Sequence, residues 1–239
     1  MKLIFIFFLI SALLNGHNPN KELPNWKHYN RMGYVRSGDY SKGFATYLRL
    51  KRTTSYTFRD LRFYGYFFND NQEIRVRQKT SRRFMNFDWI YSFNTLVYER
   101  NTYLNIDLRY HYNQGLGWLI RNSNSGNSTL EIGLAFDNSD YLQNNQKTSY
   151  LKNGLTYDQN ISIFSIKTEV NYFHQFNKKI KDNDQSRVQI LGECEWKLKH
   201  WLSIVGGMKH DAYLNKTFNL DQALYFLSLE WNKPLQWNI

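Results

Sequence analysis

Nine charged side chains recur at every second position of extended-looking segments, and that spacing decides what chemistry they could do. They are Asp107, Arg109, Glu131, Lys167, Glu169, Arg187, Glu193, Glu195 and Lys197. A chain with a period of two projects alternate residues from opposite faces, so these nine would all point to one side. If that side is a narrow interior, the charges must pair or meet water. One outcome is a network of salt bridges and hydrogen bonds that fills and stiffens the interior. The other is a charge-lined passage for small ions or solutes, with Glu193, Glu195, Arg109 and Lys167 setting its preference.

Other chemistry has little support. The six histidines are His17, His28, His111, His174, His200 and His210, and none forms a two-histidine pair at the spacing a metal requires. Cys194 is alone, so no disulfide can form within the chain; in mid-strand it reads as a small packed or lipid-facing side chain. A lipid hydrolase or acyltransferase would need Ser203 or Ser165 joined to His174 or His210, and no nucleophile elbow accompanies either serine. Gly115-Leu116-Gly117 lacks the third glycine and following helix of a phosphate loop. The expectation is no cofactor, no metal and no catalysis.

The elements that position these residues are strands. Phe164, Ile166, Thr168, Val170 and Tyr172 alternate with Ser165, Lys167, Glu169 and Asn171 over 161–174. The same contrast recurs over 186–197, 104–113, 129–137 and 222–231, one face apolar and the other polar. The alternation predicts twelve strands. In the C-terminal half tight connections near 158–160 and 198–200 alternate with longer ones near 138–147, 175–185 and 211–220. Pro19, Pro24 and Pro234 all fall outside the repeating region, as strand ladders require.

Composition says which kind of β protein this is. The 239 residues are 42% hydrophobic with a mean hydropathy of −0.63, too polar for a bundle of apolar spanning helices. A barrel tolerates that polarity because every second strand residue meets lipid. Aromatic residues make up 18% of the chain and many sit near strand ends, including Trp26, Tyr56, Trp89, Trp118, Tyr157, Trp196 and Trp231. Rings of that kind prefer the headgroup level on both sides of a membrane. Residues 1–16 read as a secretory signal, with Lys2 before the apolar run Leu3–Leu14. The net charge of +11 would ordinarily suggest nucleic acid, but export and the dispersal of the basic residues argue against it. Phosphates of anionic lipid or lipopolysaccharide are the expected counter-charges.

Specific residues also carry a resemblance. Tyr98-Glu99-Arg100-Asn101, followed by a strand running into Gly115-Leu116-Gly117-Trp118, resembles the Tyr-Glu-Arg-Asp and Gly-x-Gly-aromatic motifs of the domain-of-unknown-function 481 family, the salt-induced outer membrane proteins. Arg36-Ser37-Gly38-Asp39 is similar to the Ser-Gly-Asn turn of that family, and strand 129–137, with Gly133, to its next strand. Asn101 stands where the family has an acidic residue, and Asp39 where it has Asn. The resemblance implies an outer-membrane barrel and no established activity.

The sequence therefore predicts one antiparallel up-and-down transmembrane β-barrel of about twelve strands in the bacterial outer membrane. The expected organisation is signal 1–16, periplasmic lead-in 17–28, barrel 29–231 and tail 232–239. Expected partners are outer-membrane lipid and lipopolysaccharide, the barrel-assembly machinery, and small ions or solutes. The competing classes are a lipid-modifying barrel enzyme and a secreted, glycan-binding β-sandwich.

Overall fold

The computed structural model describes residues 26–38, 41–84, 87–104, 106–140, 146–176, 184–214 and 222–234. The expected signal and nearly all of the lead-in lie outside them. Twelve strands follow in order: β1 (Lys27–Ser37), β2 (Lys42–Thr53), β3 (Thr57–Phe68), β4 (Gln72–Phe84), β5 (Phe87–Asn101), β6 (Ile106–Ser123), β7 (Gly126–Ser139), β8 (Gln146–Ile161), β9 (Phe164–Gln175), β10 (Arg187–Lys199), β11 (Leu202–Tyr213) and β12 (Gln222–Pro234). Every strand pairs antiparallel with its sequence neighbours, and β1 closes the ring on β12. Closure leaves no strand edge unpaired, which is what a sheet in hydrocarbon must achieve.

The period of two becomes an inside and an outside. On β12, Leu227 is 58% exposed while Leu224 is 1% exposed, although both are leucines three residues apart. The outward residues form a belt. Leu96, Leu116, Ile132, Leu134, Leu151 and Leu227 are exposed near mid-height. An exposed aromatic band lies on each side of them. Tyr56, Phe84, Phe87, Trp89, Phe164 and Trp196 mark one end, and Tyr34, Phe44, Tyr110, Phe136 and Tyr225 the other. Aliphatic side chains between two bands of rings match the layering of a bilayer. Cys194 is exposed on this outer face, between the inward-facing Glu193 and Glu195.

The two ends differ. Tight connections join β2 to β3, β6 to β7, β8 to β9 and β10 to β11, and both ends of the barrel chain lie with them. The β8–β9 link is the two-residue turn Ser162-Ile163, with Ser162 in the left-handed region at φ 54°. The longer connections after β7, β9 and β11 gather at the other end, here called the loop end.

Three sequence expectations are corrected. The barrel runs from Lys27 to Pro234 rather than from 29 to 231, so 232–234 belong to β12 and not to a tail. Pro234 is tolerated there because it is the last residue of its strand and faces Lys27 at the end of the ladder. Asp107 points outward and is exposed. The β5–β6 register shifts between Glu99–Arg109 and Asn101–Ile106, so an extra β6 residue is accommodated at this point. That bulge turns Ile106 inward and places Asp107 on the outer face.

Candidate functional site

The lumen is filled by its own side chains, and the filling is ionic in two layers. The layer toward the loop end is built by strands on opposite sides of the ring. Lys209 of β11 pairs with Glu73 of β4, and its Nζ also lies 3.0 Å from Asp211 Oδ2. Arg187 of β10 reaches across to Asp137 of β7, with Nη2 2.9 Å from Oδ2. Asp137 is also held by Nδ1 of His111 on β6. Arg109 Nη1 lies 3.6 Å from Glu99 Oε2, and Arg109 Nη2 donates to the Tyr213 hydroxyl at 2.7 Å. The Arg187 guanidinium also sits 4.7 Å from the Phe173 ring centre and 4.9 Å from that of Tyr150. Arginine suits this place because its planar, weakly hydrated head can stack and pair at once.

The layer toward the turn end has its own anchors. Glu131 of β7 binds Lys79 of β4, accepts from Lys152 Nζ at 3.0 Å, and accepts from the Tyr91 hydroxyl at 2.9 Å. The Phe93 ring lies beneath both ammonium groups, 5.3 Å from Lys79 and 4.9 Å from Lys152. Asp60 accepts from Arg49 Nε at 2.6 Å and from Arg62 Nε at 2.5 Å. Glu169 accepts from Arg77 at 2.8 Å and lies 3.7 Å from Arg62. Arg31 of β1 joins Glu230 of β12 to Glu193 of β10, the latter at 2.5 Å, and Lys167 lies 3.6 Å from Glu193. Arg49, Arg62 and Arg77 are in register on three adjacent strands. Three cations side by side are stable because Asp60 and Glu169 lie among them.

Apolar side chains close what the charges leave. Val35, Ala45, Tyr66, Val205, Leu224 and Phe226 form a buried cluster on the wall made by β1 to β3, β11 and β12. Ala135, Tyr150 and Phe173 form a smaller one on the facing wall.

Of the nine residues singled out by spacing, Arg109, Glu131, Lys167, Glu169, Arg187 and Glu193 enter these networks. Glu195 and Lys197 face inward close to the turn end, where Glu195 accepts from Ser203 Oγ at 2.6 Å and Lys197 reaches Asn160 at 3.3 Å. Asp107 lies outside. The spacing argument did not select Arg31, Arg49, Asp60, Arg62, Glu73, Arg77, Lys79, Asp137, Lys152, Lys209, Asp211 or Glu230, which carry much of the pairing. For Asp137 and Glu230 the signal was present, since both lie on the polar face of a clean alternation.

The motif residues divide by face. Glu99 points inward to Arg109, whereas Tyr98 and Arg100 point outward, Tyr98 meeting Tyr110 edge-on with ring centres 5.7 Å apart. Gly115 stands opposite Gly133, and Gly117 opposite Tyr91. The serine–histidine pairings do not assemble. Ser165 and Ser203 face the lumen, while His174 and His210 alternate to the outer face.

No family model matches the sequence, and no curated protein is similar to it. Among solved structures the chain is similar to the NanC porin, with a TM-score of 0.58 and 9% identity over 85% of this chain and 98% of that one. It is also similar to the KdgM porin in complex with disordered oligogalacturonate, with a TM-score of 0.49 and 9% identity over 86% of this chain and 98% of that one. At such identity the likeness to NanC carries the fold and nothing finer. Closed ring, aliphatic belt, paired aromatic bands and polar interior together make this chain a twelve-stranded membrane-spanning barrel of the bacterial outer-membrane type.

Proposed function

We propose that this barrel is structural at rest, a self-filled outer-membrane cylinder whose lumen opens, where it opens at all, as a narrow pore. The observation that supports this reading is the loop-end layer. Glu73, Glu99, Arg109, Asp137, Arg187 and Asp211 are all buried there, although every one is charged and inward-facing. Charges lining a water-filled channel stay hydrated, so their burial speaks for a closed cross-section. Twelve strands also enclose a bore between that of filled eight-stranded barrels and that of open porins, so side chains can span it.

The short motifs shared with the domain-of-unknown-function 481 family fit the same reading. Outer-membrane lipid and lipopolysaccharide would cover the belt, and the barrel-assembly machinery would insert the chain. The test is planar-bilayer conductance of the refolded protein. Silence, or brief events far below those of an open porin, is expected. A large steady conductance overturns the closed lumen.

A further inference from the structure

We propose that the turn-end cup of the lumen is a binding site for small multivalent oxyanions, phosphate esters being the class that fits it best. The cup encloses about 1140 Å³, part of it open to solvent. Seven cationic side chains line it against two carboxylates, Asp158 and Glu169. Five of the seven already have an acidic partner. Asp60 takes Arg49 and Arg62, Glu169 takes Arg77, Glu131 takes Lys79 and Glu193 takes Lys167.

Two are left over. Lys51 of β2 and Arg83 of β4 flank β3 and project into the same cup, and among the described residues neither forms an ion pair with a carboxylate. The Phe58 ring, 5.8 Å from Lys51 Nζ, is a weak substitute for a counter-charge. Ser81, which also lines the cup, lies on β4 between Lys79 and Arg83 and adds a hydroxyl donor to the same wall. Asp158 stands on β8, six strands from β2 and four from β4 around the ring, and repels an anion toward the β2–β4 side.

The surplus is local. The acids within its reach are taken or lie across the cup: Asp60, the register partner of Lys51, is already bound by Arg49 and Arg62, and Asp158 stands on β8, so an anion from solution completes the neutralisation. A lysine, an arginine and a hydroxyl spaced along one wall can each bond a different oxygen of one phosphate, whereas chloride, a single atom, would need all three drawn to one point. The site faces the lumen, so a free ester fits better than a lipid headgroup, whose acyl chains would have to enter a polar cup. The cup opens at the turn end, so occupancy does not depend on whether the loop-end layer is shut.

The test is calorimetric titration of the folded protein in nonionic detergent with inorganic pyrophosphate and glucose 6-phosphate. Saturable binding is expected with both. The double variant Lys51→Gln/Arg83→Gln should weaken it by about tenfold or more, the scale of one or two lost charge-assisted bonds. Lys51→Arg/Arg83→Lys, which keeps both charges, should retain binding within about threefold. Lys199→Gln, a cation over Trp201 on the same end but outside the cup, should change nothing. Because Lys51 and Arg83 hold no carboxylate, the double variant leaves every ion pair of the lumen in place, and heat-modifiable gel migration verifies its fold. Absence of saturable binding to the wild type, or equal binding by the double variant, overturns the site. Displacement of pyrophosphate by phosphatidylglycerol added to the micelles would make the ligand a lipid headgroup and overturn the soluble-ester assignment.

Discussion

The tip of the Tyr91 ring rests on Gly117, its register partner on the next strand. A methyl group at Gly117 would lie 2.2 Å from Tyr91 Cζ, and the same ring directs its hydroxyl to Glu131 on β7. Glycine at this place therefore lets an aromatic side chain lie flat along the inner wall and reach the carboxylate that gathers two lysines. Gly115 and Gly133 do related work on the backbone. They face each other, and a side chain on either would meet main-chain atoms of the other strand.

Gly117→Ala should force Tyr91 out of its place and break its bond to Glu131. The expected cost is about 1–3 kcal/mol, the range for overpacking a filled interior. Tyr91→Phe removes the hydroxyl alone and should cost about 1 kcal/mol. Urea unfolding in lipid vesicles measures both. A Gly117→Ala protein as stable as the wild type would show that the ring swings aside freely and that the contact is incidental.

Glu131 itself is the keystone of the turn-end layer. Glu131→Gln leaves Lys79 and Lys152 facing each other with their shared carboxylate gone, and should destabilise by about 3–5 kcal/mol. Replacing all three together, Glu131→Leu with Lys79→Met and Lys152→Met, should recover most of that loss, because a buried ionic group and an apolar group of similar size are close in net stability. Equal instability of the single and triple variants in the same unfolding assay would assign the effect to packing rather than to unpaired charge.

Much of this architecture can be read from alternation, and the exceptions have physical causes. Strands β7, β9, β10 and β12 contrast Leu, Ile, Phe and Trp with charged residues, so both their existence and their facing follow from the sequence. β4 shows it only in part. Ile74 and Val76 face outward against the inward Glu73, Arg75 and Arg77, but the outward Gln78, Thr80 and Arg82 are as polar as the inward Lys79, Ser81 and Arg83, so the contrast lapses over most of its second half. Asp107 fails for another reason: one bulge inverts the facing of the residues beyond it. The partners are hidden altogether. Arg31 and Glu193 lie 162 residues apart, and no local pattern announces that β1 and β10 share a salt bridge across the lumen.

The apolar belt gives a prediction on where lipid lies. Leu227→Arg puts a charge near mid-height on the outer face and should cost about 2–4 kcal/mol in vesicles. Lys199→Arg at the turn end should cost nothing measurable. Were Leu227→Arg neutral or more soluble without detergent, the belt would be facing water, as on a secreted sandwich, and the membrane reading would fall.

Arg187 offers a way to open the lumen deliberately. It joins Asp137, stacks between Phe173 and Tyr150, and stands in the buried loop-end layer with three other cations, Arg75, Arg109 and Lys209. These four face four carboxylates, Glu73, Glu99, Asp137 and Asp211, so the layer is neutral as built. Arg187→Ala removes one of the layer's three guanidinium groups and leaves Asp137 with His111 as its remaining close partner. The vacated volume admits water, and the layer carries one negative charge in excess. Discrete conductance events selective for cations are therefore expected, against a wild-type bilayer that stays silent. The selectivity is the decisive readout, since a merely loosened barrel would leak without preferring either sign. Anion-selective events, or silence from a variant whose gel migration shows it folded, would mean that this layer is not what closes the lumen. Asp137→Asn tests the opposite sign: Arg187 then becomes the unpaired charge, and any current it admits should favour anions.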